Sequence, residues 1–310
     1  MITTGNSVCD PLRAILDSRE GAVLAIIADV RGPSYRPVGA TMAIVGATGR
    51  TGSLSSGCVE SDIALHAARV LASGQPEIVS YGEGSPYVDI RLPCGGGLDI
   101  LLLPDPDRQA LAEVVEHHQQ RRPSTLVIDA VSGALSVQAT GATQRDGNRL
   151  AVRFEPDIAF QVFGKGPVAA TFGALVRSAG YPGLLLSPDG ETLDAAAAKG
   201  VATRRLVAAR YPDDLATDDR TAIVLFFHDH DWDPPILAAA LETPAFYVGA
   251  QGGRQTRATR LQALEEMGVS EQARARLHGP IGLIPSARDA RTLAISVLAE
   301  VLAAAMPDGQ

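Results

Sequence analysis

The hydrophobic pattern of the chain changes character about halfway along its length. In the second half, short apolar runs alternate with segments whose apolar residues recur at helical spacing. The predicted strands are 158–163, 183–186, 221–227 and 245–248, and the predicted helices are 168–178, 235–241, 253–267 and 287–305. Strands that alternate with helices in this way predict a mostly parallel sheet with helices on both faces.

The first half has a more mixed pattern. Apolar or alternating runs predict strands at 22–30, 41–45, 51–56, 77–81, 87–92, 98–103 and 125–129, and helical spacing predicts helices that begin near residue 10 and span about 57–72 and 105–122. A polar segment at 140–148 precedes a shift in composition near Glu155 and Pro156. We therefore expect a mixed α/β domain over 1–155 and a second α/β domain over 156–310.

A glycine turn joins the first predicted strand of the second domain to its first helix. Gly164 and Gly166 allow a tight turn and a close backbone approach, and Ala169 takes a third small position where the helix packs near the strand. Strand, glycine turn and helix together form the arrangement that binds a phosphate in Rossmann-like domains. Lys165 either adds a positive charge beside a pyrophosphate or is simply solvated.

Composition and charge narrow the class of protein. The 310 residues are 46% hydrophobic and 20% charged, which is typical of a globular protein. A net charge of −8 argues against a general nucleic-acid binder. No apolar run is long enough to cross a membrane, and the first residues lack the apolar core of a signal peptide, so we expect a cytoplasmic protein with neither nucleic-acid nor membrane partners.

Two cysteines stand beside glycine turns in the first domain. Cys58 falls at the start of a predicted helix, where the helix dipole favours a thiolate, although Glu60 opposes this effect. Cys94 precedes Gly95, Gly96 and Gly97, whose backbone N–H groups can converge on an anion. The alternative is that both cysteines are small buried hydrophobic residues and that the glycines serve tight turns. The residues alone leave both interpretations open.

A polar run follows the third strand of the second domain. His228 and Asp229 are candidates for lining a ligand cleft, since ligands of parallel sheets bind beyond the carboxyl ends of the strands. The run continues through Asp231 to Asp233 and contains residue types that bind divalent metals. Its plainer interpretation is that these two aspartates start and cap the next helix.

A candidate phosphate-binding site follows the fourth predicted strand of the second domain. Gly249 lies at this strand end, and Arg254 and Arg257 follow one helical turn apart, a spacing that suits a bidentate phosphate clamp. Arg260 extends the same side of the helix. The alternative is a solvated basic stripe that pairs with nearby glutamates.

Several segments, taken in order, resemble the XdhC/CoxI family. They are 32–40 (GPSYRPVGA), 56–60 (SGCVE), 92–102 (LPCGGGLDILL), 164–169 (GKGPVA), 227–229 (FHD), 247–250 (YVGA), 278–283 (HGPIGL) and 294–300 (AISVLAE). The chain departs from the family pattern at Pro33, Tyr35 and Ser56, and at Lys165 and Pro167 in the glycine turn. The resemblance covers most of the chain outside residues 104–155.

The resemblance implies an N-terminal XdhC-type domain, a C-terminal Rossmann-like domain and an accessory role rather than an enzymatic one. Family members bind the molybdenum cofactor, a molybdopterin in mono- or dinucleotide form, assist its sulfuration with a cysteine desulfurase, and insert it into an apo molybdenum hydroxylase such as xanthine dehydrogenase. A homodimer is also expected. In this reading, the glycine turn and Arg254 hold the phosphate end while Cys58 or Cys94 contacts molybdenum.

Two other functions remain as alternatives. An NAD(P)-dependent oxidoreductase would use the glycine turn, but the acidic residue expected directly after the second strand is replaced by Ser187, with Asp189 two residues later. A nucleotidyltransferase acting on the cofactor would need a cation beside the glycines at residue 95, and the residues directly flanking them, Cys94 and Leu98, are not basic.

Overall fold

The computed structural model describes residues 2–3, 7–46, 49–55, 57, 59–82, 95–227 and 231–306. The chain forms two compact units, Met1–Pro156 and Asp157–Gln310. The boundary predicted from composition lies one residue earlier. Within the described ranges, no helix combines the length and the apolar character needed to cross a membrane.

The first unit is built on a six-stranded sheet with the order β1-β4-β3-β2-β6-β5. Its elements are β1 (Ile2–Thr3), α1 (Asp10–Asp17), β2 (Ala22–Arg31), β3 (Thr41–Val45), β4 (Gly49–Gly52), α2 (Glu60–Ser73), β5 (Glu77–Gly82), β6 (Gly97–Pro104) and α3 (Arg108–Gln119). All neighbouring strands run antiparallel except β1 and β4, which are parallel.

The central strand β2 is buried on both faces, which explains its unbroken apolar sequence. Ile27 points into a cluster that also holds Ile63 of α2. Leu24 points the other way, into a cluster with Leu12 of α1 and Leu111 of α3. The sheet is therefore a layer between helices, and the mixed α/β prediction for this unit is confirmed.

A second, smaller sheet completes the first unit, and the sequence did not predict most of it. Its strands are β7 (Ser124–Asp129), β8 (Leu135–Gln138), β9 (Gln144–Asp146) and β10 (Arg149–Phe154), arranged antiparallel in the order β8-β7-β10-β9. Leu126 and Val152 pack into the cluster under α1 and α3. The polar segment 140–148, for which no strand was predicted, contains β9, whose three residues are all exposed.

The second unit is a six-stranded parallel sheet with the order β13-β12-β11-β14-β15-β16. Its elements are β11 (Ala159–Gly164), α4 (Pro167–Ser178), β12 (Gly183–Ser187), α5 (Gly190–Ala197), β13 (Ala202–Arg205), β14 (Thr221–Phe226), α6 (Asp233–Ala240), β15 (Tyr247–Ala250), α7 (Arg254–Glu266), α8 (Glu271–Ala275), β16 (Leu277–His278) and α9 (Ala290–Ala305). Numbered within the unit, this is the strand order 3-2-1-4-5-6 of a Rossmann fold.

Helices cover both faces of this sheet. One cluster joins the sheet to α4 and α9 through residues such as Phe172 and Val297, and the other joins it to α6 and α7 through residues such as Ile236 and Leu264. The Rossmann-like prediction is thus confirmed. In such a fold, ligands bind beyond the carboxyl ends of the strands, where β11 and β14 diverge to opposite sides.

Some element boundaries differ from the prediction, most clearly the starts of two helices. Helix α2 begins at Glu60 rather than near residue 57, and α9 begins at Ala290, where Asp289 caps it in place of the expected Ser286. The strand predicted at 87–92 lies outside the described residues. Asp289 is the better cap because its carboxylate accepts hydrogen bonds from two N–H groups of the first turn.

Candidate functional site

The loops of the first and third family motifs leave from the same end of the large sheet in the first unit. Strand β2 ends at Arg31, which pairs with Gly97, the first residue of β6. Gly82, the last residue of β5, pairs with Gly97 from the other side. The connection 32–40 after β2 and the connection 83–96 before β6 therefore begin side by side.

The segment that carries the second motif leaves from this same end. Strand β3 begins at Thr41, and Gly52 at the end of β4 pairs with Met42. The segment 53–59 thus follows a strand that ends beside the start of β3. Leu54 and Val59, which bracket most of this segment, are buried in the cluster that holds β2 and β6. Antiparallel pairing therefore brings the strand ends next to three distant motifs to the same end of one sheet.

The first and third motifs touch backbone to backbone. A Cβ atom at Gly96 would lie 2.2 Å from the carbonyl oxygen of Pro33 and 2.8 Å from that of Arg31. Glycine is required at position 96 because the two chains approach so closely. Gly95 differs, since its φ is +74° and, among the described residues, no atom lies within 4 Å of the position of a Cβ atom there. At Gly95 the positive φ, rather than a close contact with a described residue, favours glycine.

An ion pair reinforces the contact between these motifs. Asp99, in the third motif, accepts from Ser80 Oγ at 2.7 Å and lies 2.9 Å from Nη1 of Arg31. Arg145 approaches the other carboxylate oxygen at 3.9 Å. Asp99 was not predicted as a functional residue. Its strand is otherwise apolar, and an isolated aspartate in such a strand is the one signal that the sequence offered.

The second motif is held by the carboxylate of Glu60. Oε1 accepts from the Ser55 N–H at 2.8 Å, and Oε2 accepts from Ser55 Oγ at 2.7 Å and from the Val59 N–H at 3.2 Å. Burial raises the pKa of Glu60, but the hydrogen bonds from Ser55 and Ser53 outweigh burial, and the pKa lies below its ordinary value. Glu60 is therefore an ionised anchor for the turn that precedes α2.

Four predicted site residues, Cys58, Cys94, His228 and Asp229, lie outside the described residues. Their predicted roles stay predictions. Among the residues that the structure does describe, no group of three or more histidine, cysteine, aspartate or glutamate side chains is placed to hold a metal ion.

The glycine turn of the second unit has two glycines with different functions. At Gly164, a Cβ atom would lie 2.8 Å from the carbonyl oxygen of Phe226, so this glycine allows β11 and β14 to pair closely. Gly166 has a φ of +84°, and no atom of the described residues lies within 4 Å of the position of a Cβ atom there. Lys165, between them, is partly exposed. Gly164 is thus needed for strand pairing and Gly166 for its backbone conformation.

The backbone N–H of Gly166 forms a hydrogen bond to the hydroxyl group of Thr192. That N–H donates to Thr192 Oγ1 at 2.7 Å, and the Thr192 hydroxyl donates to Asp189. Asp189 also caps α5 by accepting from the Thr192 N–H at 2.8 Å. The hydrogen bonds from Thr192, followed by the charges of Lys165 and Arg205, lower the pKa of Asp189 below its ordinary value.

The hydrogen bonds of Asp189 are relevant to nucleotide binding. In an NAD-binding Rossmann domain, the acidic residue after the second strand binds ribose hydroxyl groups. Here Asp189 is engaged by Thr192 and by the start of α5. The sequence pattern placed Asp189 after the second strand but gave no signal of its bond to Thr192, because the two act together only once α5 has formed.

Gly249 has a packing role that sequence reasoning did not foresee. A Cβ atom there would lie 2.5 Å from the ring of Tyr247, which lies across it. Tyr247 is fully buried, stacks on His278 with ring centroids 4.3 Å apart, and donates to Glu300 Oε1 at 2.7 Å. Burial and the nearby carboxylate of Glu300 raise the pKa of Tyr247. The absent side chain at Gly249 thus makes room for a ring that links β15, β16 and α9.

The predicted basic clamp on α7 is partly wrong. Arg254 is exposed at the first position of the helix, as a ligand contact requires, and Arg257 is half-buried. Arg260, which was expected to extend the basic side of the helix, does not face solvent. It is 4% exposed, forms a buried ion pair with Asp233 of α6 and donates to the carbonyl oxygen of Gln251 at 2.9 Å. The helix period placed Arg260 near the other arginines but could not show that α6 covers it.

The chain matches one protein family over most of its length. Residues 160–301 match the family model described as the XdhC Rossmann domain, and residues 15–82 match that of the XdhC and CoxI family. The chain therefore belongs to the XdhC and CoxI family, and the resemblance found in its motifs is confirmed.

Particular relatives resemble the chain over nearly all of it. It is 37% identical to the molybdenum cofactor insertion chaperone PaoD of Escherichia coli (strain K12), across 92% of this chain and 84% of that protein. It is 22% identical to a probable xanthine dehydrogenase subunit of Bacillus subtilis (strain 168), across 94% and 95%. A crystal structure described as a xanthine dehydrogenase from Bacillus halodurans matches with a TM-score of 0.82 at 20% identity, across 98% and 97%, which shows a shared fold.

Proposed function

We propose that this protein binds the molybdenum cofactor and inserts it into a molybdenum hydroxylase of the xanthine dehydrogenase type. The observation that carries the proposal is that the strand ends next to three motif segments, 32–40, 53–59 and 83–96, lie at one end of one sheet. Two of these segments contain Cys58 and Cys94. The similarity to a molybdenum cofactor insertion chaperone supports the same function.

The chemistry of the cargo suits this end of the first unit. Molybdenum in the cofactor is bound by the sulfur atoms of a dithiolene, and thiolates are soft ligands for such a centre. We assign the molybdenum end of the cofactor to Cys58 or Cys94. Contacts of described residues near them in the sequence support this role, since Glu60 accepts a hydrogen bond from the Ser55 N–H and Gly96 lies against Pro33. Assistance in sulfuration, with a cysteine desulfurase as partner, and a homodimeric state belong to the same proposal.

The second unit is proposed to hold the phosphate end of the cofactor, in its mono- or dinucleotide form. The first N–H groups of a helix have no acceptor within the helix, and they attract anions. In α4, Pro167 has no N–H and Gly166 donates to Thr192, so Val168 and Ala169 present the N–H groups for this purpose. Lys165 supplies a positive charge between the two glycines, and Arg254 supplies another at the start of α7.

An NAD(P)-dependent oxidoreductase is disfavoured by the bonds of Asp189. Thr192 and the start of α5 already engage the carboxylate that would bind the ribose. A thermal-shift titration separates the two functions, because a tight ligand of the folded state raises the melting temperature. We expect no shift with NAD⁺ or NADP⁺. A shift of several degrees at submillimolar concentration would favour the oxidoreductase.

The carrier function is tested by purification from a host that makes the molybdenum cofactor. We expect bound molybdenum by mass spectrometry, a bound pterin by fluorescence after oxidation, and activation of a cofactor-free hydroxylase by the loaded protein. Cys58→Ser or Cys94→Ser should lower the molybdenum content, whereas Cys9→Ser serves as a matched thiol control because Cys9 is buried at the start of α1. Absence of molybdenum and pterin from the wild-type protein, together with no activation, would rule the proposal out.

A further inference from the structure

A cavity of about 490 Å³ lies in the second unit, at the end of the sheet opposite the glycine turn. Gly183 and Ala202, the first residues of β12 and β13, line it, and Val176 and Arg177 line it from the last turn of α4. The glycine turn lies at the other end of the same helix, because β11 ends where α4 begins. The cavity is therefore separate from the proposed phosphate site.

The interior of this cavity is apolar. Val162 of β11 and Leu185 of β12 are neighbours in the sheet, and both are buried. Val176 and Val201 also line the cavity and are buried. A Cβ atom at Gly183 would lie 3.0 Å from Cγ1 of Val176, so the absence of a side chain at this position keeps space open beside α4. The hydrocarbon part of a ligand would be removed from water by contact with these side chains, which is favourable.

Arg177 places a positive charge at the rim of the cavity. The position of a Cβ atom on Gly200, which also lines the cavity, is 2.7 Å from Nε and 3.3 Å from Nη2 of Arg177, so the guanidinium group lies against Gly200. Arg177 is exposed, and its guanidinium group forms no ion pair or hydrogen bond with any residue that the structure describes. None of the described residues that line the cavity is acidic, and Arg177 is the one charged residue among them. The rim therefore favours an anion.

We propose that this cavity binds an apolar carboxylate, a small molecule with a single negative charge on a hydrocarbon body. Ligand sites are typically concave and mostly apolar, have volumes of about 300–1,000 Å³, and carry a few polar groups that orient the ligand. The cavity has this size and this composition, with the hydrocarbon body against the valine and leucine side chains and the carboxylate at Arg177. Arginine suits a carboxylate because its planar group donates two parallel hydrogen bonds. This site goes beyond the cofactor carrier function, and neither proposal depends on the other.

The test titrates the isotope-labelled full-length protein with decanoate, a flexible chain, and in a second arm with naphthoate, a flat ring system. The amide signals of Gly173, Gly183 and Gly200, which line the cavity, should shift with a Kd of about 1 mM or lower for ligands of this size. The ligand that binds more tightly identifies the shape of the hydrocarbon body. Acetate has the charge without the apolar body, and decanol has the apolar body without the charge, so both should bind more weakly than decanoate.

Three variants separate the charge of the rim from the volume of the cavity. Arg177→Gln should weaken decanoate binding about fivefold, as expected for the loss of a partly exposed ion pair. Ala202→Leu adds a side chain at an exposed position of the lining and should also weaken binding. Arg291→Gln is the matched control, because the Arg291 side chain is 89% exposed in the same unit and does not line the cavity. It should leave binding unchanged, and the amide spectrum of each variant reports whether it is folded.

Any of four results would overturn the carboxylate site. They are no shift of the three glycine signals with either carboxylate, shifts spread evenly over both units, equal affinities of Arg177→Gln and the wild-type protein, or decanol binding as tight as that of decanoate. The carrier function fails separately, because it is judged by bound molybdenum and pterin. Their absence would leave the carboxylate site standing, and a protein that carries both without binding decanoate or naphthoate would lack only this site.

Discussion

Gly96 and Pro33 lie so close that no side chain fits between them. The position of a Cβ atom on Gly96 is 2.2 Å from the carbonyl oxygen of Pro33, well inside van der Waals contact. This contact joins the loop after β2 to the loop before β6. A change at Gly96 is therefore expected to act on Pro33 in the other loop as well.

Gly96→Ala is expected to lower the free energy of unfolding by about 2–3 kcal/mol, because the added methyl group must push apart two backbone segments. The matched variant is Gly95→Ala, whose methyl group would meet none of the described residues within 4 Å and whose positive φ adds a strain of about 1 kcal/mol. Urea unfolding of both variants measures the difference. Equal stabilities of Gly96→Ala and the wild-type protein would contradict the close contact.

Glu60→Gln is expected to destabilise the protein by about 1.5–3 kcal/mol at pH 7, since hydrogen bonds to an ionised group are lost. The folded pKa of Glu60 lies below its unfolded value of about 4.3. The stabilisation from Glu60 is therefore complete above pH ~4.3 and is lost as the pH falls through the folded pKa.

The gap in stability between the wild-type protein and Glu60→Gln should consequently shrink below pH ~4.3. Urea midpoints measured at a series of pH values check this. Glu113→Gln, on the exposed face of α3, is the control and should change the stability by less than about 0.5 kcal/mol. A gap that stays constant down to pH 3 would show that the charge of Glu60 is not what holds the turn.

Removing one partner of the Arg260–Asp233 pair should be strongly destabilising. Both side chains are almost fully buried, and the remaining charge would lose the partner of this ion pair, which costs about 3–5 kcal/mol. Arg260→Met combined with Asp233→Leu should recover part of this loss. The exposed pair of Arg204 and Asp214 is the matched control, and Arg204→Ala should cost less than about 1 kcal/mol.

Chemical denaturation of the two single variants and the double variant measures the coupling between Arg260 and Asp233. Additive effects of the two substitutions would mean that the pair does not act as a unit.

Thr192→Val should expose the backbone N–H of Gly166. Valine has the shape of threonine without the hydroxyl, so the N–H loses its acceptor and Asp189 loses a donor. We expect faster amide hydrogen exchange at Gly166 and a stability loss of about 1 kcal/mol. Thr192→Ser keeps the hydroxyl and should exchange as the wild-type protein does. Unchanged exchange at Gly166 in Thr192→Val would show that the hydroxyl does not protect this amide.

The sequence by itself determined the architecture of the second unit and the family of the whole chain. Apolar runs such as 158–163 alternate with helical segments, and this alternation is a local property that any window of the chain displays. The glycine turn at Gly164 and Gly166 was visible for the same reason. Family motifs are likewise read residue by residue, so their order along the chain identified the family before any contact was known.

Only the tertiary structure decided which residues act together. In the small sheet, β7 was predicted but the edge strand β9 was not, because β9 is polar and exposed and becomes a strand through its pairing with β10 rather than through its own pattern. Arg260 was placed with its helical neighbours, but α6 buries it against Asp233. Glu60, Asp189 and Gly249 owe their roles to partners brought close by folding. A hydrogen bond or an ion pair depends on distances of a few ångströms, which spacing along the sequence does not fix.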